Sequence, residues 1–251
     1  MNPGIEKRLV ATRRFVSSHV CARRVQTRLE NAIVSFSFDD VPRLALDYGV
    51  PILDKYGCKV SFYIAGSYCN GRADYLSPGQ IQTLLDRGHE IACHTFSQLR
   101  TGCCLPGTLR KDLDRNKEYF RRNFSNFHPS NFSYPHGSIG LWNKPMLTKR
   151  FTSLRSTCPG INRGSIDLTT LLAYKLYSRR MAPEDINDLI EMAVHKRGWL
   201  IFYTHDVSPT PSAIGCTPEL LDHAVQAAIV SGARVLSIEE ALCEIRKPLV
   251  H

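Results

Sequence analysis

The sequence lacks the features that would indicate a membrane-spanning protein, a zinc ribbon or a thioredoxin-like redox protein. None of its hydrophobic runs approaches the roughly 18 apolar residues that a spanning helix requires. Its nine cysteines include no CxxC spacing, so a zinc ribbon and a thioredoxin-like site are both unsupported. Internal repeats and low-complexity tracts are also absent. We therefore expect a globular protein whose cysteines are mostly reduced thiols, which suits a reducing compartment.

The first thirty residues lack the unbroken apolar core of a secretory signal, because arginines recur throughout them. We predict a basic N-terminal leader at residues 1–30 and a cytoplasmic protein. The preferred interpretation of the leader is a solvated segment. The alternative is a basic amphipathic helix in peripheral contact with an anionic membrane, which would make the protein membrane-peripheral.

The formal net charge of +9 indicates an acidic partner, such as nucleic acid, an anionic membrane or a phosphorylated carrier. More than half of the excess lies in the leader, and the basic residues do not alternate with aromatic residues on a predicted sheet. We therefore expect no nucleic-acid binding.

From residue 31 onward, short β-rich runs alternate with longer helical stretches. Strands are predicted at residues 32–38, 59–64, 89–93, 131–134, 151–155, 173–177, 199–203 and 234–237. Helices are predicted at residues 42–56, 78–87 and 183–196, from residue 217 onward, and where Leu109, Leu113, Phe120 and Phe124 form one apolar stripe. About seven strand–helix units favour an α/β barrel with a parallel sheet over an open sheet. We expect one domain, at residues 31–251, with its functional residues at the carboxyl ends of the strands.

Polar motifs follow four of these strands. They are Asp39-Asp40, His94, Tyr134 to Gly137, and His205-Asp206. Two adjacent carboxylates repel one another unless a cation or a proton-transfer reaction uses them. Each motif alone has an ordinary explanation, since an aspartate pair can cap a helix and a single histidine is more often hydrogen-bonded than metal-bound. Their convergence on one face of a barrel indicates a metal-assisted hydrolase.

These motifs resemble those of the polysaccharide deacetylases of carbohydrate esterase family 4, which include the nodulation-type chitooligosaccharide deacetylases. The resemblance covers roughly residues 31–245. The matching segments are Ser37-Phe38-Asp39-Asp40, Gly88-His89-Glu90-Ile91-Ala92-Cys93-His94-Thr95, Ser133-Tyr134-Pro135-His136-Gly137 and Ile201-Phe202-Tyr203-Thr204-His205-Asp206. The resemblance implies a distorted barrel with fewer than eight units and a divalent cation, commonly zinc, that polarises an acetyl carbonyl and its attacking water.

The resemblance also implies a role for each motif residue. Asp39 would be the general base, and His205 would protonate the leaving amine. Asp40 and His94 would bind the metal. The backbone N–H of His136 would stabilise the tetrahedral oxyanion.

One departure from the family concerns the metal. Relatives carry a second metal-binding histidine four residues after His94, where this chain has Gln98. An amide oxygen is a neutral and weaker ligand for zinc than imidazole, so zinc or another divalent cation is predicted with reduced affinity or altered preference. Three outcomes stay open: Gln98 or water completes the site, His136 replaces the missing ligand, or the protein is metal-independent or inactive.

A second departure concerns the base. Many relatives begin the third motif with an arginine that pairs with the catalytic aspartate, and this chain has Ser133 there. Arg155 and Arg163 are candidates for tuning Asp39, unless both lie in a solvated loop. Strand alternation directs one of Phe202 and Tyr203 toward the site and the other into the core. Trp142 is predicted either to stack on a sugar ring or to pack within a helix.

The predicted function is removal of acetyl from an N-acetylated or O-acetylated amino sugar in a glycan or glycan precursor. A cytoplasmic location favours an oligosaccharide, lipid-linked or nucleotide-linked substrate over a mature wall polymer. The alternatives are a non-catalytic barrel that binds a glycan or a partner through a degenerate metal site, and a metal-independent amide hydrolase. Retention of both Asp39 and His205 argues against the first alternative, because a binding module needs no proton-transfer groups.

Overall fold

The computed structural model describes Val16, Val20 and residues 23–69, 71–125 and 127–246. Most of the predicted leader lies outside the described residues, so neither the solvated segment nor the alternative, an amphipathic helix, is tested there. The last part of the leader is described: Arg24–Thr27 form strand β1. In the described ranges no helix is both long enough and apolar enough to cross a membrane.

The centre of the fold is a curled sheet in which all neighbouring strands are parallel. Its strands are β2 (Ile33–Asp39), β3 (Ser61–Ile64), β4 (Glu90–Cys93), β5 (Asn131–Ser133), β6 (Ser153–Arg155), β8 (Tyr174–Lys175), β9 (Trp199–Thr204) and β10 (Arg234–Val235). The order is β6-β5-β4-β3-β2-β9-β8, and β10 pairs with the start of β2. A parallel bridge between Arg155 and Leu171 joins β6 to the chain that leads into β8. The sheet therefore curls into a distorted (β/α) barrel, and the predicted fold class is confirmed.

Seven α-helices of the described residues surround the sheet. They are α1 (Val50–Lys55), α2 (Pro78–Asp86), α3 (Pro106–Asn123), α4 (Lys144–Arg150), α5 (Pro183–His195), α6 (Pro218–Val230) and α7 (Ile238–Ile245). Most begin with proline in the first turn, where its missing N–H costs no hydrogen bond. The predicted helix at 42–56 is a π-helical turn, Ala45–Gly49, that continues into α1. The sequence did not predict α4 and α7.

The core lies on both faces of the two central strands. Every residue of β2 and β9 is buried, as expected for a parallel strand covered on both sides. Phe36 and Phe202 stack within it with ring centroids 5.7 Å apart. The stripe predicted on α3 is also buried in the core.

The amino ends of the strands are closed by the chain itself. Strand β1 pairs antiparallel with β7 (Gly164–Asp167), and both were missed by the sequence analysis. The first turn of α7 is bound by β4, since the Glu239 N–H donates to the buried Glu90 at 2.9 Å. Ser61 and Asn131 also donate to this carboxylate, yet burial raises its pKa to about 7. These polar contacts tie the amino ends of β3, β4 and β5 to the start of α7.

Candidate active site

The four predicted motifs meet at the carboxyl ends of β2, β4, β5 and β9. Six non-glycine residues of the described chain have a positive φ, and five of them lie in or beside these motifs: Asp40, Val41, Thr95, Gln98 and His136. Such backbone conformations cost of order 1–3 kcal/mol each and cluster at functional sites. The strain therefore marks the same edge of the sheet that the motifs predicted.

Asp39 is paired with an arginine inside the barrel. Arg155, which is fully buried, donates from Nη2 to Asp39 Oδ1. Its guanidinium lies between the rings of Tyr63 and Tyr203, at 5.1 and 4.9 Å from their centroids. Burial would raise the pKa of Asp39, but Arg155 and two neighbouring histidines outweigh it and lower that pKa below its usual value. Asp39 is therefore held in the ionised form that a general base requires.

This pairing answers the question left by Ser133. In the β5–β6 ladder, Ser133 and Arg155 are direct cross-strand partners. The guanidinium thus comes from β6, the strand next to the one that carries Ser133. Arg163 is exposed at the opposite end of the barrel, beside β7. Of the two candidates, Arg155 is the one that contacts Asp39.

Asp40 and His94 form the second half of the site. His94 Nδ1 lies 3.1 Å from the Ser133 carbonyl oxygen and 2.5 Å from the Ser133 hydroxyl. A carbonyl oxygen only accepts, so that contact favours a proton on Nδ1 and leaves Nε2, which is 3.6 Å from Asp40 Oδ1, free to bind a cation. Burial lowers the pKa of His94 to about 4, which keeps the ring neutral. Burial and the adjacent Asp39 raise the pKa of Asp40 to about 7. A neutral imidazole and a buried carboxylate oxygen without a hydrogen bond are the donors that a divalent cation requires.

Gln98 faces Asp40 with its amide nitrogen, which is a hydrogen-bond donor and does not bind a cation. Its Nε2 donates to Asp40 Oδ2, while its Oε1 accepts a hydrogen bond of 2.8 Å from the Tyr68 hydroxyl. In the described chain, no three His, Cys, Asp or Glu side chains come together as a metal-binding group. Two strong donors therefore fit a divalent cation, and Gln98 supplies a third, weak one only if its amide rotates.

The two remaining motif histidines differ in their surroundings. The His136 side chain is exposed and forms a hydrogen bond with the Gln98 backbone, so it does not join Asp40 and His94 as a replacement ligand. Its backbone has a φ of 55° in the turn Pro135–Gly137. Part of His205 is exposed to solvent, but most of its surroundings are protein, and this loss of solvation lowers its pKa below the usual value.

A loop behind His205 is held by Asp206. The Asp206 carboxylate accepts hydrogen bonds from the Ser212 N–H at 2.8 Å and from the Ser212 hydroxyl at 2.5 Å. Gly215 lies so close to Asp206 that a Cβ would collide with that carboxylate. The segment after β9 is thereby fixed, and with it the position of His205.

Aromatic residues that the sequence did not single out complete the site. Tyr63 is the register partner of Asp39 across β2 and β3, a relation that strand alternation alone did not reveal. The Tyr177 ring packs edge-on against His205 at 5.9 Å. As predicted by alternation, Phe202 lies in the core, and Tyr203 contacts Arg155. Trp142 does not pack within a helix, because it lies in the turn before α4 and is 79% exposed.

The Arg155–Asp39 pair gives a prediction for the pH dependence of activity. Arg155→Gln removes the cation that lowers the Asp39 pKa, so the base becomes protonated at higher pH. The acidic limb of the kcat/KM profile is expected to shift to higher pH. Arg163→Gln, which removes an exposed arginine remote from the site, should leave the limb in place; an equal shift in both variants would contradict the assignment.

Comparison of the chain with known proteins agrees with this geometry. Residues 27–150 match the sequence profile of the polysaccharide deacetylase family. No curated protein matches the chain in a sequence search. The match spans just under half of the chain, and it supports both the resemblance to the polysaccharide deacetylase family and the predicted class of enzyme, a carbohydrate deacetylase.

Solved structures share the fold at low sequence identity. The chitin deacetylase of Colletotrichum lindemuthianum is 17% identical, with a TM-score of 0.67 over 90% of this chain and 92% of that one. A family 4 acetyl xylan esterase of Clostridium thermocellum in complex with a cobalt ion is 20% identical, with a TM-score of 0.62 over 84% and 90%. A mutant of a CE4 family pseudoenzyme is 16% identical, with a TM-score of 0.63 over 88% and 70%.

Proposed function

We propose that the protein removes acetyl from an N-acetylated or O-acetylated amino sugar, with Asp39 as general base and His205 as general acid. The observation that carries the proposal is the buried ion pair between Arg155 and Asp39. The pKa of Asp39 is lowered, whereas the pKa of the adjacent Asp40 is raised. The two shifts leave Asp39 as the more readily ionised of the two neighbouring carboxyl groups, as a general base requires. A structural pair of aspartates would need no buried arginine dedicated to one of them.

In the proposed reaction, Asp39 accepts a proton from the water that attacks the acetyl carbonyl. The backbone N–H of His136 donates to the developing oxyanion, for which the left-handed turn at φ 55° orients the peptide. His205 then donates a proton to the leaving nitrogen or oxygen, and acetate is released. The lowered pKa of His205 makes its protonated form a stronger acid than an ordinary histidine.

The cation is also part of the proposal. Asp40 Oδ1 and His94 Nε2 would hold a divalent ion, with Gln98 Oε1 as a weak third ligand after rotation of its amide. When bound, such an ion would polarise the acetyl carbonyl and the attacking water. Its binding would cost the hydrogen bonds that Gln98 now makes with Asp40 and Tyr68, so we expect weak binding.

The direct test is acetate release by the purified protein. With Zn²⁺ or Co²⁺ added in excess, the protein is expected to release acetate from acetylated amino-sugar oligomers. Activity that survives a strong chelator would instead support a metal-independent hydrolase. Absence of release from every acetylated glycan offered would count against the proposal.

The hydrogen bond from Gln98 to Asp40 favours a second candidate, a barrel that binds a glycan or a partner through a degenerate metal site. Metal analysis separates the two. A stoichiometric metal that is lost on His94→Ala would exclude the binding barrel, whereas a metal-free protein that binds sugar without hydrolysing it would support it.

A further inference from the structure

A depression of about 530 Å³ lies at the amino end of the barrel and contains four cations. It is lined by Thr27, Arg28, Leu29, Arg163, Gly164, Lys196 and Arg197. Among the described residues that line it there is no aspartate or glutamate. Strand β2 separates this depression from Asp39 by its seven residues, which is roughly 20 Å of extended chain. The depression is therefore distinct from the candidate active site.

We call this depression, with its four cationic side chains, the basic pocket. Within the described part of the chain, none of the four has an ion-pair partner: Arg28, Arg163, Lys196 and Arg197. Other exposed cations of this protein do have one, such as Arg87 with Asp54 and Arg150 with Asp114, at 2.8 and 2.7 Å. The residues outside the described ranges contain a single acidic side chain, Glu6. The acidic groups outside the described ranges are thus too few to pair with all four cations, and the four side chains are exposed to solvent.

The backbone that carries these side chains is firmly connected. Thr27 and Gly164 are register partners in the β1–β7 ladder. Asn162 and Trp199 exchange two backbone hydrogen bonds, of 2.8 and 2.9 Å, and so tie the chain before Arg163 to the chain after Arg197. Gly198 packs so tightly against Ile161 that a Cβ would collide with it. Three separate segments are thus held together although their charges repel.

Arg197 adds a second, independent observation. It is the only non-glycine residue of the described chain with a positive φ outside the candidate active site, at 44°. It follows the end of α5 at the position where helices usually place glycine, because other residues are strained there. A cation at the carboxyl end of α5 is stabilised by the helix dipole, which explains a basic residue at position 197. The dipole does not explain why Arg28 and Arg163, on other segments, lie beside it.

We propose that the basic pocket binds the phosphate groups of a ligand. Guanidinium groups match the oxygens of phosphate in bidentate geometry, and three of the four cations are arginines. A single carboxylate would leave most of the charge uncompensated, whereas a diphosphate or adjacent lipid phosphates would neutralise it. The volume lies within the range of about 300–1,000 Å³ that is typical of ligand pockets. The source of the phosphate is either a soluble compound or the headgroups of an anionic membrane.

The test uses the full chain and two probes at constant ionic strength. Isothermal titration with inorganic pyrophosphate represents the soluble source. Co-sedimentation with equimolar phosphatidylglycerol–phosphatidylcholine vesicles, against pure phosphatidylcholine vesicles, represents the lipid source. Binding to pyrophosphate alone would assign a soluble ligand, binding to anionic vesicles alone would assign headgroups, and binding to neither would overturn the proposal.

Two quadruple variants with the same change in net charge separate a site from general attraction. In one, Arg28, Arg163, Lys196 and Arg197 become glutamine; in the control, the exposed Arg110, Lys111, Lys117 and Lys149 do. The first is expected to weaken binding at least about tenfold, because charge-assisted hydrogen bonds to phosphate are lost. The control is expected to bind like the natural chain. Equal losses in both variants would show that only net charge matters and would overturn the proposal.

Arg197→Gly gives effects of opposite sign on folding and binding. Glycine relieves the left-handed strain, so the Tm is expected to stay the same or rise. The affinity for the bound probe is expected to fall, because one guanidinium is missing. Unchanged affinity would mean that Arg197 serves only the end of α5, and it would remove that residue from the site. Acetate release, measured in parallel, is expected to be unaffected, so this result is independent of the proposed deacetylase activity.

Discussion

Asp39→Asn is expected to slow acetate release by about 10²–10⁴-fold, the usual contribution of a positioned general base. The amide keeps the shape of the side chain but does not accept the proton of the attacking water. The measurement is kcat/KM on whichever acetylated amino-sugar oligomer the natural chain hydrolyses. A variant with more than a tenth of the natural activity would show that Asp39 is not the base.

Asp39→Asn is also expected to destabilise the fold, and a second substitution separates this loss of stability from the loss of catalysis. Asp39→Asn leaves the fully buried Arg155 without its counter-charge, which costs about 3–5 kcal/mol of stability. The double variant Asp39→Asn/Arg155→Gln removes both charges and is expected to recover part of that loss in urea unfolding. Its activity should stay as low as that of Asp39→Asn. Recovery of activity together with stability would mean that the first loss was structural.

Gln98→His is expected to tighten Zn²⁺ binding by at least the roughly 10–100-fold that changes around a metal site produce. Imidazole is a stronger ligand for zinc than an amide oxygen. The substitution also removes the N–H that Gln98 donates to Asp40, which frees that carboxylate. Histidine tolerates the left-handed backbone at this position, where φ is 55°. Competition with a chromophoric chelator measures the change.

Gln98→Asn is the matched control for this gain. Asparagine also tolerates a positive φ, but its shorter side chain does not reach Asp40 in the same way and brings no imidazole. If both variants bind Zn²⁺ equally tightly, the gain comes from loss of the hydrogen bond between Gln98 and Asp40, and the introduced imidazole does not act as a ligand. If neither differs from the natural chain, the Asp40–His94 pair is not a metal site.

Much of the site followed from the sequence because its residues end apolar runs. Asp39 and His205 directly follow or end strands whose side chains are all buried, so their place at one edge of the sheet was predictable. The partner of Asp39 was predicted only as one of two candidates, Arg155 and Arg163. Arg155 is 116 residues away and belongs to a short strand with no distinctive pattern, so the sequence alone did not choose between them. The state of Gln98 was equally hidden, since it depends on Tyr68, which no motif contains.

The elements that the sequence missed are short or carry a weak pattern. Strands β1 and β7 have four residues each, and only Ile166 of the eight is buried, so they have little hydrophobic periodicity. Their pairing depends on contacts between segments nearly 140 residues apart. They nonetheless form the wall of the basic pocket, which is why net charge alone predicted an acidic partner but not its position.

The arrangement of strands around β2 has a consequence for the order in which the protein is made. Two strands pair with one edge of β2: β10 pairs with Ile33 and Val34 at its start, and β3 pairs with residues 37–39 at its end. Its other edge is filled by β9. On a ribosome the strand that ends in Asp39 is synthesised early, but its neighbours at residues 199–204 and 234–235 emerge much later. Such long-range pairings slow folding and leave strand edges open. The base therefore reaches its final position only when nearly all of the barrel has been translated.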